Sequence, residues 1–172
     1  MANVTSTLQA YPGSTQEGAS VRREMVISYE DIDAAGTYAD ADTATFQIPV
    51  LANEVITRVG VELITAFNDS GSGDELDLEV GDGSDANGYL TTMAIHTDQT
   101  EISVVTTDDA TYSGAYLNDG TTDNTVNGKL YTSADTIDLL FTPALSTGAA
   151  AYNLNELTAG KIRVVVHGVK AV

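Results

Sequence analysis

The residues richest in usable chemistry lie at 76–90, LDLEVGDGSDANGYL. Within them Gly81-Asp82-Gly83-Ser84-Asp85-Ala86 carries the letters G-x-G-x-x-A after a strand-like run, the pattern of a dinucleotide cradle. A cradle needs a following helix whose N-terminal amides meet the pyrophosphate, whereas NGYLTTMAI alternates like another strand. Asp82 and Asp85 would also set negative charge against an anionic ligand. The same loop offers Asp82, Ser84, Asp85 and Asn87 as hard oxygen donors for calcium, joined by Asp69 and Asp74 if NDSGSGDELD folds beside it. The spacing departs from the EF-hand series, whose sixth position is glycine and whose twelfth is Glu. A turn explains the letters with less: glycines admit its backbone angles, and aspartates cap the exposed amides at the rim of a sandwich. No cofactor and no metal ligand is assigned, with calcium as the alternative.

Catalytic constellations are equally thin. His96 and His167 are the two candidates for an unperturbed general base near neutral pH, and they fall in separate strand-like runs. Neither G-x-S-x-G nor H-E-x-x-H occurs. Asp31 with Asp33, and Asp108 with Asp109, imitate a glycosidase dyad, but among 25 acidic residues such pairs arise by chance. No catalytic residue is assigned, and the chain is not expected to be an enzyme. Without tryptophan, a sugar-binding platform would rest on Tyr89, Tyr112, Tyr116 and Tyr131. The absence of cysteine excludes disulfides, thiolate zinc, iron–sulfur clusters and cysteine nucleophiles. Asn3-Val4-Thr5 and Asn68-Asp69-Ser70 fit the glycosylation triplet, which matters only with a secretory signal, and the first twenty residues lack its basic leader and apolar core.

The elements that must position these groups are strands. EVITRVGVELITAF places Val55, Thr57, Val59, Val61, Leu63, Thr65 and Phe67 on one face, with Arg58, Gly60 and Glu62 on the other. ELDLEV turns Leu76, Leu78 and Val80 inward, and DTIDLLFTP does the same with Ile137, Leu139 and Phe141, Pro143 being expected to end the run. GKIRVVVHGVKAV sets Ile162, Val164 and Val166 against Arg163, Val165 and His167. REMVISYE, TATFQIPV, GYLTTMAI, TEISVVT and VNGKLYT complete about nine strands, and LNELTAG reads as one helical turn. The expected architecture is all-β, a single antiparallel sandwich with jelly-roll connections over residues 21–172. Residues 1–20 hold few large apolar side chains and read as an extended arm or linker.

Charge is lopsided as well as acidic. The net charge is −18, and residues 59–128 hold fourteen acids with no Lys or Arg. Arg22 and Arg23 stand near one end, and Lys161, Arg163 and Lys170 near the other, with no acid after Glu156. Such a chain repels phosphate backbones, so neither nucleic acid nor an anionic membrane is an expected partner. Adaptation to a salty medium would account for the acids; so would acidic loops facing solvent while the terminal segments face a partner.

The succession TFQIPVLANEVITRVGVELITAFNDSG, LDLEVGDGSDANGYL, GKLYTSADTIDLLFTP and AGKIRVVVHGV resembles small virion structural proteins of tailed bacteriophages, over roughly residues 43 to 169. In these a proline-containing entry leads to a strand ending near TAF, a VGDG turn follows, and a final GK-hydrophobic strand closes the sandwich. The resemblance implies a capsid decoration or cement protein, made in the host cytoplasm and carried in the virion. Its implied partner is the major capsid protein, with self-association as a homotrimer, or failing that a dimer. The family has no catalytic motif, so no site residue is carried over. The alternatives are a tail, collar or receptor-binding part, a calcium-dependent adhesion or carbohydrate-binding module, and a hydrolase using an acidic pair.

Overall fold

The computed structural model describes residues 3–5, 20–70, 75–97, 104–108, 111–117, 128–144 and 153–170. Along the chain these form β1 (Asn3–Thr5), β2 (Ser20–Ser28), α1 (Tyr29–Ala35), β3 (Ala44–Val50), β4 (Glu54–Asp69), β5 (Glu75–Asp82) and β6 (Asp85–Ala94). Then come β7 (Val104–Thr106), β8 (Lys129–Tyr131), β9 (Asp135–Ala144), a 3-10 turn (Leu154–Glu156) and β10 (Leu157–Lys170). The first sheet runs β1-β2-β10-β4, with β7 and β8 sharing the far edge of β4, and the second runs β3-β9-β5-β6. All these pairings are antiparallel. Partners nest along the chain: β2 with β10, β3 with β9, β4 with β7, and β5 with β6.

One core fills the space between the sheets. Met25, Ile27, Val59, Val61, Ile162, Val164 and Val166 enter it from the first sheet, and Phe46, Ile48, Leu76, Leu78, Val80, Ile137, Leu139 and Phe141 from the second. Phe67 of β4 and Phe141 of β9 meet edge-to-face across the layers, ring centroids 5.9 Å apart. The fold is thus the all-β sandwich that period-two alternation predicts. In β3 the pattern is strict: Ala44, Phe46, Ile48 and Val50 are buried, Thr45, Gln47 and Pro49 exposed. Pro49 is tolerated because β3 is an edge strand.

Three expectations fail for identifiable reasons. Pro143 does not end β9, which continues to Ala144 with Pro143 opposite Leu76. By then β3 has run out, its last partner pair being Ala44 and Phe141, so β9 has an open side where a missing N–H costs no ladder bond. In β4 a register shift between the pairs His167–Arg58 and Gly168–Ile56 makes Thr57 an extra residue, which moves the inward position from Val55 to Ile56. Ile56 is buried, Val55 half-buried and Thr57 exposed. Further shifts around Lys161 turn Thr65 out, and Phe67 then re-enters the core.

The third concerns REMVISYE, whose strand stops at Ser28 instead of running through Glu30. Ser28 caps α1: its hydroxyl accepts from the Asp31 amide at 3.4 Å, and the Asp31 carboxylate accepts the Ser28 amide at 2.9 Å and its hydroxyl at 2.8 Å. This box ends the strand and drives Ile32 into the core. Ser28→Ala should cost about 1 kcal/mol, read as a lower urea midpoint at unchanged m-value.

Candidate partner-binding face and the Asp82 cluster

The 81–86 loop is a β-hairpin. Asp82 pairs with Asp85 across Gly83 and Ser84, and β6 follows at once, so the loop has no helix to cradle a phosphate. Gly81 answers to close approach: a Cβ there would lie 1.9 Å from the Asp85 carbonyl oxygen. Asp82 is buried, and its carboxylate turns inward instead of toward solvent. Its Oδ1 accepts the Ser84 and Asp85 amides at 3.0 and 3.2 Å and the Tyr116 hydroxyl at 2.8 Å. Its Oδ2 accepts Tyr131 at 2.8 Å and is ion-paired with Lys129, whose Nζ also stands 3.5 Å from the Tyr116 ring centroid. Tyr89 donates to the Tyr131 hydroxyl at 2.8 Å.

Burial alone would raise the Asp82 pKa; the bonds from Lys129, Tyr116, Tyr131 and Ser84 overcome it and hold the carboxyl at about 2. Burial, then the bonds to Tyr89 and Asp82, push the Tyr131 phenol well above its ordinary value, so it remains a neutral donor. An ammonium therefore occupies the place a calcium ion would take at Asp82. Among the described residues no group of three His, Asp or Glu is arranged to hold a metal. The tyrosines considered as a sugar platform also turn inward: Tyr89 and Tyr131 are buried, and Tyr112 and Tyr116 pack partly buried against the core.

The other candidates do not converge. His96 is buried and bridges Phe67, whereas His167 pairs with Arg58, nine residues away along β4 and on the order of 30 Å distant. Asp31 belongs to the helix cap, and Asp33 accepts from the Asn155 amide at 2.8 Å. Asp108 pairs with Arg58 at 2.9 Å; Asp109, Asp74 and Asp123 lie outside the described residues. Arg23 and Glu54 form a buried pair bonded at two points, one of them 2.8 Å, and Glu54 also accepts the Leu51 amide at 3.0 Å. The alternation of VRREMVI already sets Arg23 on the inward face with Val21, Met25 and Ile27, a signal the charge masked.

The fold sorts the charges by layer. All seven Lys and Arg residues lie on strands of the first sheet. The outer face of the second carries Glu75, Asp77 and Glu79 on β5 and Asp138 on β9; burial, then Glu75 and Glu79, raise the Asp77 pKa. On the outer face of the first sheet, side chains form cross-strand rows. One row is Val26–Arg163–Glu62–Val104, the next Glu24–Val165–Gly60–Thr106, and the third Arg22–His167–Arg58. Arg163 pairs with Glu62 at 2.9 Å and Glu24 at 3.2 Å, and Arg22 with Glu24 at 2.8 Å. Burial, then the guanidiniums of Arg22 and Arg58, hold the His167 imidazole below its ordinary value. These rows border a groove of about 310 Å³. The terminal cations of this face stand out in the sequence and alternation turns Arg58 outward, but its place beside them depends on β4 pairing with β10.

No family model matches the sequence, and no curated protein matches it. A chain of the cyanophage Pam1 capsid asymmetric unit matches this one with a TM-score of 0.52 at 18% identity, covering 94% of this chain and 91% of that one. A chain from the acidic stable capsid of Helicobacter pylori bacteriophage KHP30 aligns over 98% of this chain and 93% of its own, at 9% identity and a TM-score of 0.46. The chain shares its fold with the Pam1 chain.

Proposed function

We propose that this is a virion structural protein without enzymatic activity, and within that class a decoration or cement protein that binds the outside of a phage head and helps hold the shell closed. The observation that carries this reading is the fold match to a chain of the Pam1 capsid asymmetric unit, which spans nearly all of both chains. The nested pairing of β2 with β10, β3 with β9, β4 with β7 and β5 with β6, which we read as jelly-roll wrapping, supports it. So does a hairpin whose one buried carboxylate is committed to holding strands together.

In this reading the partner is the major capsid protein, the sandwich occupies 21–172, and residues 1–20 serve as an arm toward a neighbour, with Asn3–Thr5 of the same chain laid along the β2 edge of the first sheet. Self-association as a homotrimer would cover an exposed sheet edge such as β3. The protein is made in the host cytoplasm and ends in the virion. Quantitative mass spectrometry of purified particles tests this: copy number should follow the number of capsomers, and heads lacking the protein should release DNA at lower temperature. A copy number matching a tail or collar part would refute the decoration reading.

A further inference from the structure

We infer that the outer face of the first sheet is the surface that seats on the shell, and that the shell presents a carboxylate to the Arg22–His167–Arg58 row within an apolar surround. This rests on the head-protein reading above. Two guanidiniums directly opposite one imidazole on adjacent strands are unfavourable in the free protein, since cross-strand neighbours of like sign repel once the imidazole is protonated. Seven cations stand among 25 acids, yet the row has no acid within it. Glu24 pairs with Arg22 and Asp108 with Arg58, leaving both guanidinium side chains about half exposed, at 44% and 50%. A carboxylate placed over the row would meet both guanidiniums and would favour the protonated form of His167.

Beside the row the surface is hollow and partly apolar. Gly60 sits mid-strand in β4, and a Cβ there would meet only Thr106 Cγ2 at 3.4 Å and the Val105 carbonyl oxygen at 3.6 Å. Neither packing nor a positive φ requires glycine at this position, where it weakens a strand by roughly 0.5–1 kcal/mol relative to alanine. What glycine provides is depth: Gly60 and Val165 line the groove, and Val104, 60% exposed, stands at its side. Arginine together with exposed apolar surface is the composition of a protein interface. Arg22, Arg58, Lys161 and Arg163 nearly balance Glu24, Glu62 and Asp108 here, so this is the face a chain of net charge −18 can bring close to another protein. A second copy is the poorer occupant, because it would bring its own −18.

The test uses purified heads lacking this protein and fluorescently labelled full-length chain, read by co-sedimentation. Arg22→Gln/Arg58→Gln should keep the melting temperature and raise the His167 pKa measured by NMR, yet lose affinity for heads on the order of 100-fold. Gly60→Leu, which fills the groove, should also weaken binding, while Asp138→Asn on the opposite sheet should not. If the wild type saturates heads and the double variant binds within about threefold of it, this face is not the seat, although the head-protein reading stands. If the wild type itself fails to bind, that reading falls and the inference with it. Salt-sensitive self-association of the free protein, abolished in the double variant, would make a second copy the occupant and overturn the shell assignment.

Discussion

Val61→Asp is expected to leave no soluble folded protein, whereas Glu62→Gln, one residue further on, should be nearly silent. Val61 is 1% exposed and lies between Val164 of β10 and Val105 of β7. A carboxylate there must either stay charged without a partner or take up a proton at a pH where it would otherwise be ionised, and both routes cost several kcal/mol. Domains of this size hold only about 5–15 kcal/mol in total. Glu62 points to the opposite face, where its pair with Arg163 is solvent-exposed and contributes at most about 1 kcal/mol. Soluble yield and thermal melts of the two variants make the comparison. The reverse ranking would mean that the register of β4 is wrong, and with it the core.

Asp82→Ala comes second, with an expected loss of about 3 kcal/mol, on the order of 10 °C in Tm. The substitution strands the Lys129 ammonium and removes the acceptor for Tyr116 and Tyr131, bonds that join two separate parts of the chain, residues 111–117 and β8, to the β5–β6 hairpin. Asp82→Ala combined with Lys129→Met should be less destabilised than the sum of the single changes, because no lone charge remains. Acid titration adds a signed check. The folded carboxyl titrates at about 2 against 3.8 for a free one, so its contribution is complete above pH 4 and is lost as pH falls through 2. That interval should remove about 2 kcal/mol more from the wild type than from Asp82→Asn, measured by urea unfolding between pH 2 and 5. Equal losses in both proteins would show that Asp82 is not held as an ion.

Alternation along a strand is a local consequence of the pleat, which is why it could be read directly from the chain. Leu76, Leu78, Val80, Ile137, Leu139, Phe141, Ile162, Val164 and Val166 all face inward where period two places them. The Ser28-x-x-Asp31 box and the inward parity of Arg23 were equally local, and an ordinary capping rule and the same alternation reach them. The hairpin at 81–86 was also legible as a turn. Its chemistry was not, because Asp82 meets Tyr116, Lys129 and Tyr131 at separations of 34, 47 and 49 residues, through contacts that exist only once β8 has joined β4 and residues 112–116 have bonded along β6. The bulge at Thr57 belongs to the same class: one extra residue against β10 reverses the faces of β4 from there to its start, and only the partner strand reveals it. Arg58 joins Arg22 and His167 for the same reason. Local sterics and polarity write the strands and their faces into the sequence, whereas register between distant strands, a property of pairs, decides which charges stand side by side.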